Sequence, residues 1–183
     1  MLTRYMINRR WAILSIAALA AFAVLAVIDT RLKRITGFGA LDLQRASTAA
    51  AVQTIALAWA TPGRAFMAGL SLGFDYLFMP LYGFAFYYAA RSARESFAPQ
   101  PNALRVALLI AAFIPLLGAL LDVGENALEA LMLMRGPSDG IAALAATFSS
   151  AKWLCIFIGF VLALAGLVGL FWRRRLEAKG QAD

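Results

Sequence analysis

The sequence predicts an all-α integral membrane protein: a four-helix bundle with an additional amphipathic helix in its first extramembrane loop. Three observations carry this reading. Of 183 residues, 62% are hydrophobic and 15% charged, against about 45–50% and about 25% in soluble domains. That balance excludes a water-soluble globule, and a disordered chain as well, because disordered chains are poor in apolar residues. The apolar residues fall into four runs, each able to cross about 30 Å of hydrocarbon at about 1.5 Å per residue. The basic residues flank those runs, and no repeat or linker divides residues 1–183 into more than one domain.

The first run, 11–28, follows Arg4, Arg9 and Arg10 and closes at Asp29. A basic start before an apolar stretch also describes a signal peptide, with Ala21-Phe22-Ala23 as a cleavage site. The run exceeds an h-region of about 7–15 residues, so it reads as a retained helix. Residues 29–63 are too many for a plain connector. Gly37 and Gly39 punctuate the start; Leu41 to Ala60 contains neither Gly nor Pro. Val52, Ile55, Ala56 and Trp59 recur there at helical spacing, with Asp42 and Arg45 at the polar end. This predicts one helix over 41–60, lying on the membrane or folded back over the bundle. Its apolar part, about 16 residues, is too short for a fifth span. Thr61-Pro62-Gly63 stops it.

The remaining spans are predicted at 65–90, 104–134 and 153–172. Trp11, Tyr87, Tyr88, Trp153 and Trp172 lie near run ends, where aromatic rings prefer the interface. In this topology ten Lys and Arg fall on the side of the termini and seven on the other. The asymmetry places both termini in the cytoplasm.

The net charge of +7 does not mark a nucleic-acid binder, because the cations border apolar runs and there serve topology and lipid contact. One cysteine, Cys155, cannot close an internal disulfide, and without histidine the ordinary zinc, haem and copper sites have no ligand set. No metal or cofactor is expected, although Asp122, Glu125 and Asn126 are oxygen donors of the kind hard cations prefer. Gly69-Leu70-Ser71-Leu72-Gly73 fits the G-x-S-x-G pattern, but that motif needs a strand-to-helix turn and a histidine. Here it lies in an apolar helix and reads as chance.

Charges inside the spans are the informative positions. Asp75 sits ten residues into the second run, where an ionisable group costs at least about 2.5–3.5 kcal/mol unless paired or turned inward. Arg64, Ser71, Asp75 and Tyr82 share one face of that helix. Pro80 in the same run frees a carbonyl and can bend it. In the third run Asp122, Glu125, Asn126 and Glu129 follow i, i+3, i+4, i+7, one contiguous polar stripe continued by Pro115 and Gly118. Facing lipid, its three carboxylates would cost on the order of 9 kcal/mol, so the stripe faces protein or water. A helix leaving the membrane after Leu121 is the plain alternative. Lys152 opens the fourth run on the same membrane side. It reads either as the counter-ion of Asp122 or Glu125 or as a snorkelling interfacial lysine. Gly159, Ala163 and Gly166 on its face permit close helix approach. The predicted site is Arg64, Asp75, Tyr82, Asp122, Glu125, Asn126 and Lys152, two cations against three carboxylates. A proton, a cation or a basic ligand would offset the excess.

Leu41-Asp42-Leu43-Gln44, Gly63-Arg64, Asp75 with Pro80 and Tyr82, Leu121-Asp122 with Glu125-Asn126, and Lys152, in this order, resemble a family of uncharacterised bacterial four-helix inner-membrane proteins. The resemblance runs from about Leu41 to the fourth helix. It implies a bacterial inner membrane and no particular reaction or cofactor.

Three functions fit these residues. One is a module that binds or transports a small cationic, proton-coupled or lipid-headgroup ligand at the acidic cluster. Another is a structural or accessory subunit, whose charges pair with a partner membrane protein, a second copy, or one another. The third is a lipid-modifying enzyme, with Asp75 or Glu125 as general acid/base and Lys152 or Arg64 as electrophilic support.

Overall fold

The computed structural model describes residues 4–96 and 102–179, all in helices and the short turns between them. The order is α1 (Arg4–Thr36), α2 (Ala40–Arg45), α3 (Ala49–Trp59), α4 (Pro62–Ser96), α5 (Asn102–Ala111), α6 (Ile114–Arg135) and α7 (Asp139–Lys179). Four stretches are long and apolar enough to cross a membrane: Arg4–Thr36, Pro62–Ser96, Val106–Arg135 and Asp139–Arg173. They carry many exposed large hydrophobic side chains, among them Ile16, Leu19, Phe84, Leu120, Phe157 and Leu164, the surface a bilayer would cover. The chain is a multi-pass, all-α membrane protein.

Packing is uneven. Helices α4, α6 and α7 pack on one another, while α1 packs chiefly along α4. The buried face of α7 runs through Ala142, Ala145, Ser149, Lys152, Cys155, Gly159, Leu162 and Gly166. That spacing of three and four residues is the seam of a left-handed helix pair. Its residues are mostly small, so backbones approach closely. A Cβ on Gly118 of α6 would come within 2.7 Å of the Cys155 Cβ, and one on Gly166 within 3.0 Å of the Ala89 carbonyl oxygen.

Helix α1 runs past both ends of the expected 11–28 span, so the first loop begins after Thr36 and not at Asp29, and α4 likewise exceeds 65–90; three further differences are larger. The third run is broken: α5 ends at Ala111, a turn covers Ala112 and Phe113, and α6 starts with Pro115 in its first turn. Proline has no N–H to donate and its ring crowds the carbonyl four residues back, here that of Ala111. Pro80, by contrast, lies within a continuous α4.

The fourth helix begins at Asp139, well before the expected 153. Thr147 and Ser150, which made this stretch look polar, donate their hydroxyls to the Ala143 and Ala146 carbonyls at 2.8 and 2.9 Å. Hydroxyls satisfied by their own helix do not prevent burial in an apolar layer. Trp153 consequently lies inside the span and not at its end.

The 41–60 segment is two helices folded back over the bundle, not one. The chain is extended at Ala46 and Thr48, and the Thr48 hydroxyl accepts from Ala51 N at 3.3 Å, which starts α3 afresh. Leu43, Val52, Ile55 and Trp59 are buried against Leu32, Ala68, Met132, Ala142 and Ala145. The layer thus covers the end of the bundle opposite the termini. Its helix starts are held from the bundle itself. Asp29 of α1 accepts from Ala40 N, and Asp139 of α7 accepts from Ala49 N at 2.7 Å. A Cβ on Gly39 would meet the Asp29 carboxylate and push it off the Ala40 amide.

Candidate functional site

Thirteen residues separate Pro62 from Asp75, Asp122 from Arg135, and Asp139 from Lys152. With α4 and α7 running one way and α6 the other, these three side chains come to one level, about 20 Å below the covered end. The acid stripe of α6 faces inward along its whole length. Asp122, Glu125, Asn126 and Glu129 expose 3%, 0%, 0% and 1% of their surface, which removes the reading of a helix already emerged into water.

Lys152 is the centre of the cluster and is itself 2% exposed, so it is neither the first residue of its span nor a snorkelling lysine. Its Nζ donates to Asp122 Oδ1 at 2.9 Å and lies 2.6 Å from Glu125 Oε2, a close ion pair. Both proposed counter-ions are engaged at once. The phenol of Tyr82 donates to the other oxygen of Asp122 at 3.0 Å. One carboxylate thereby links α4, α6 and α7. On the flank, Asn126 Nδ2 donates to Asp75 Oδ2 at 3.0 Å and approaches the Leu72 carbonyl at 3.5 Å. Asp75 is half-buried, with Ser71 buried one turn before it.

Six of the seven expected residues therefore meet. Arg64 does not. It lies eleven residues before Asp75 on α4, about 16 Å along the axis, and its Nη1 donates to the Ala58 carbonyl at 3.2 Å. There it serves the last turn of α3, where a cation complements exposed carbonyls and the helix dipole.

Glu129 takes a place the expected site left out, although it completes the stripe. It lies one turn beyond Glu125, between the cluster and Met132, which belongs to the apolar contact with the covering layer. Ser149, buried three residues before Lys152 on α7, was likewise concealed by the late helix start.

The polar atoms left over are of one kind. Asn126 Oδ1 and Glu129 Oε1 are buried without a hydrogen-bond partner, and both are acceptors, whereas the Glu125 carboxylate is engaged by Lys152 and Ser149. No three acids among the described residues converge as metal ligands. The G-x-S-x-G match lies inside α4 with Ser71 buried, far from the exposed turn a nucleophile needs.

No family model, curated protein or solved structure matches this chain.

Proposed function

We propose that the chain is a binding or transport module whose buried cluster takes a small cationic ligand, or the protons coupled to one. One observation carries this reading. Among the described residues Lys152 is the one buried basic side chain, and it stands among Asp75, Asp122, Glu125 and Glu129. A single ammonium cannot balance four carboxylates away from water, so a proton, a cation or a basic group completes the set. The unpartnered acceptors Asn126 Oδ1 and Glu129 Oε1 point to the same kind of guest, one that donates. The wide spread of the acids favours protons or an organic ammonium over a bare metal ion. The Lys and Arg asymmetry and the motif resemblance support a bacterial inner membrane with both termini cytoplasmic.

A second reading has its own observation. The Tyr82–Asp122–Lys152–Glu125 chain ties three helices together and is complete in itself, as a purely structural lock would be.

The two readings separate in vesicles of phosphatidylethanolamine and phosphatidylglycerol that carry the purified protein and an entrapped pH dye. Under an inside-negative potassium diffusion potential, a transport module acidifies the lumen faster than empty vesicles, and Glu129→Gln abolishes the difference while keeping the fold. A binding module without transport retains radiolabelled methylammonium in equilibrium dialysis and loses it in the same variant. Absence of both proton entry and methylammonium retention would overturn the proposal in favour of the lock.

A further inference from the structure

At the opposite end of the molecule the unused groups are donors. Arg10 of α1 donates Nη1 to the Tyr88 phenol oxygen at 2.8 Å, with its guanidinium 5.8 Å from that ring's centroid. Arg91 donates Nη1 to the Tyr87 phenol oxygen at 2.9 Å, again 5.8 Å from the ring. The two rings meet edge-on with centroids 5.3 Å apart. The result is a continuous Arg10–Tyr88–Tyr87–Arg91 chain joining α1 to α4. None of the ion pairs among the described residues involves Arg10 or Arg91. Each guanidinium therefore keeps its full charge and most of its five N–H donors, and each phenol, already accepting from an arginine, has its own O–H to give. Arg10 lies six residues from Arg4 and Arg91 five from Ser96, about 8–9 Å inside the helix ends. That is the rim of the apolar spans, where aromatic and cationic side chains meet headgroups.

We propose that this chain of two guanidiniums and two phenols is a binding site for the phosphodiester of an anionic phospholipid in the adjacent leaflet. The matching chemistry is specific. Guanidinium forks recognise phosphate oxygens in a bidentate way, and the hydrogen bond each arginine makes to a tyrosine phenol fixes its orientation beforehand. In the sequence ten Lys and Arg fall at this end against the acids Glu95, Glu177 and Asp183, a balance that favours an anion and opposes a basic partner. The site shares no residue with the buried cluster and stands or falls without it.

Native mass spectrometry of the full chain from detergent, offered phosphatidylglycerol or phosphatidylcholine, tests the proposal. Phosphatidylglycerol is expected to stay bound preferentially. Arg10→Gln with Arg91→Gln should cut its retention about tenfold or more, as loss of charge-assisted hydrogen bonds implies. Arg31→Gln with Arg34→Gln removes the same charge at the other end of α1 and should leave retention unchanged. If the first pair does not fold, Tyr87→Phe with Tyr88→Phe keeps both arginines and should still weaken retention several-fold. Equal losses in both arginine pairs, or equal retention of the two lipids, would overturn the site. So would complete displacement of phosphatidylglycerol by excess inorganic phosphate, which would make the free ion its ligand.

Discussion

Gly118 of α6 lies directly against Cys155 of α7, so closely that a Cβ on the glycine would come 2.7 Å from the cysteine Cβ. Asp122 is one turn after Gly118 and Lys152 one turn before Cys155. The contact therefore sets the distance across which the ion pair forms.

Gly118→Ala is expected to destabilise the protein by about 1–3 kcal/mol, the usual cost of overpacking, because the cysteine Cβ is tied to its backbone and cannot swing aside. Cys155→Gly in the same chain should recover the approach, less about 1 kcal/mol for glycine within a helix. Thermal unfolding in a mild detergent measures both. Additive losses would show that the two positions do not share this contact.

Lys152→Met should be among the most damaging single changes, about 3–5 kcal/mol, because it strands Asp122 and Glu125 without a counter-charge. Adding Asp122→Asn and Glu125→Gln removes those charges and should return most of the stability. Unfolding of the single and triple variants in the same detergent decides it; a triple variant as weak as the single one contradicts the charge argument.

Tyr82→Phe deletes one hydrogen bond to a buried carboxylate and little volume. About 1.5–3 kcal/mol is expected, well below the Lys152 effect. A larger loss would mean the ring's packing against Phe78 and Phe86 depends on the phenol.

The covering layer should loosen in acid. Burial pushes the Asp42 carboxyl up, but the Gly39 N–H bond at 2.7 Å and the Lys33 ammonium at 2.9 Å outweigh it and hold the group below its ordinary value. A lowered folded-state value means the contribution is complete at neutral pH and disappears as pH falls through it. Fluorescence of Trp59, buried with Nε1 donating to the Phe38 carbonyl at 3.3 Å, reports the layer. An acid transition is expected in the native chain, and Asp42→Asn should lack the part of it that comes from Asp42. An identical transition in both would assign it elsewhere.

Much of this arrangement was legible because lipid makes charge placement costly. The spacing of Asp122, Glu125, Asn126 and Glu129 required an inward face, and all four are buried. Asp75 and Tyr82 followed from the same reasoning. Arg64 failed because sharing a face says nothing about height, and eleven residues is three turns of separation. Hydropathy puts Lys152 at a helix start because it counts Thr147 and Ser150 as polar and cannot see hydroxyls bonded to their own helix. The start at Asp139 did have a signal in Ser138, whose hydroxyl accepts from Ile141 N at 3.4 Å. The break at Thr48 was open to the same reading, since threonine is a common N-cap. The α2–α3 fold-back was not, because the apolar residues that bury against Met132 and Ala145 would bury equally well in a membrane surface.

Asp29 and Asp139 carry a mechanical consequence. Each belongs to a long membrane-crossing helix, and each grips the first backbone amide of a short helix in the roof. Rotation of α1 or α7 by a fraction of a turn would drag that amide along or release it. The roof is therefore geared to the walls beneath it, and a motion beginning in the bilayer would be felt at the far aqueous face without any hinge between them.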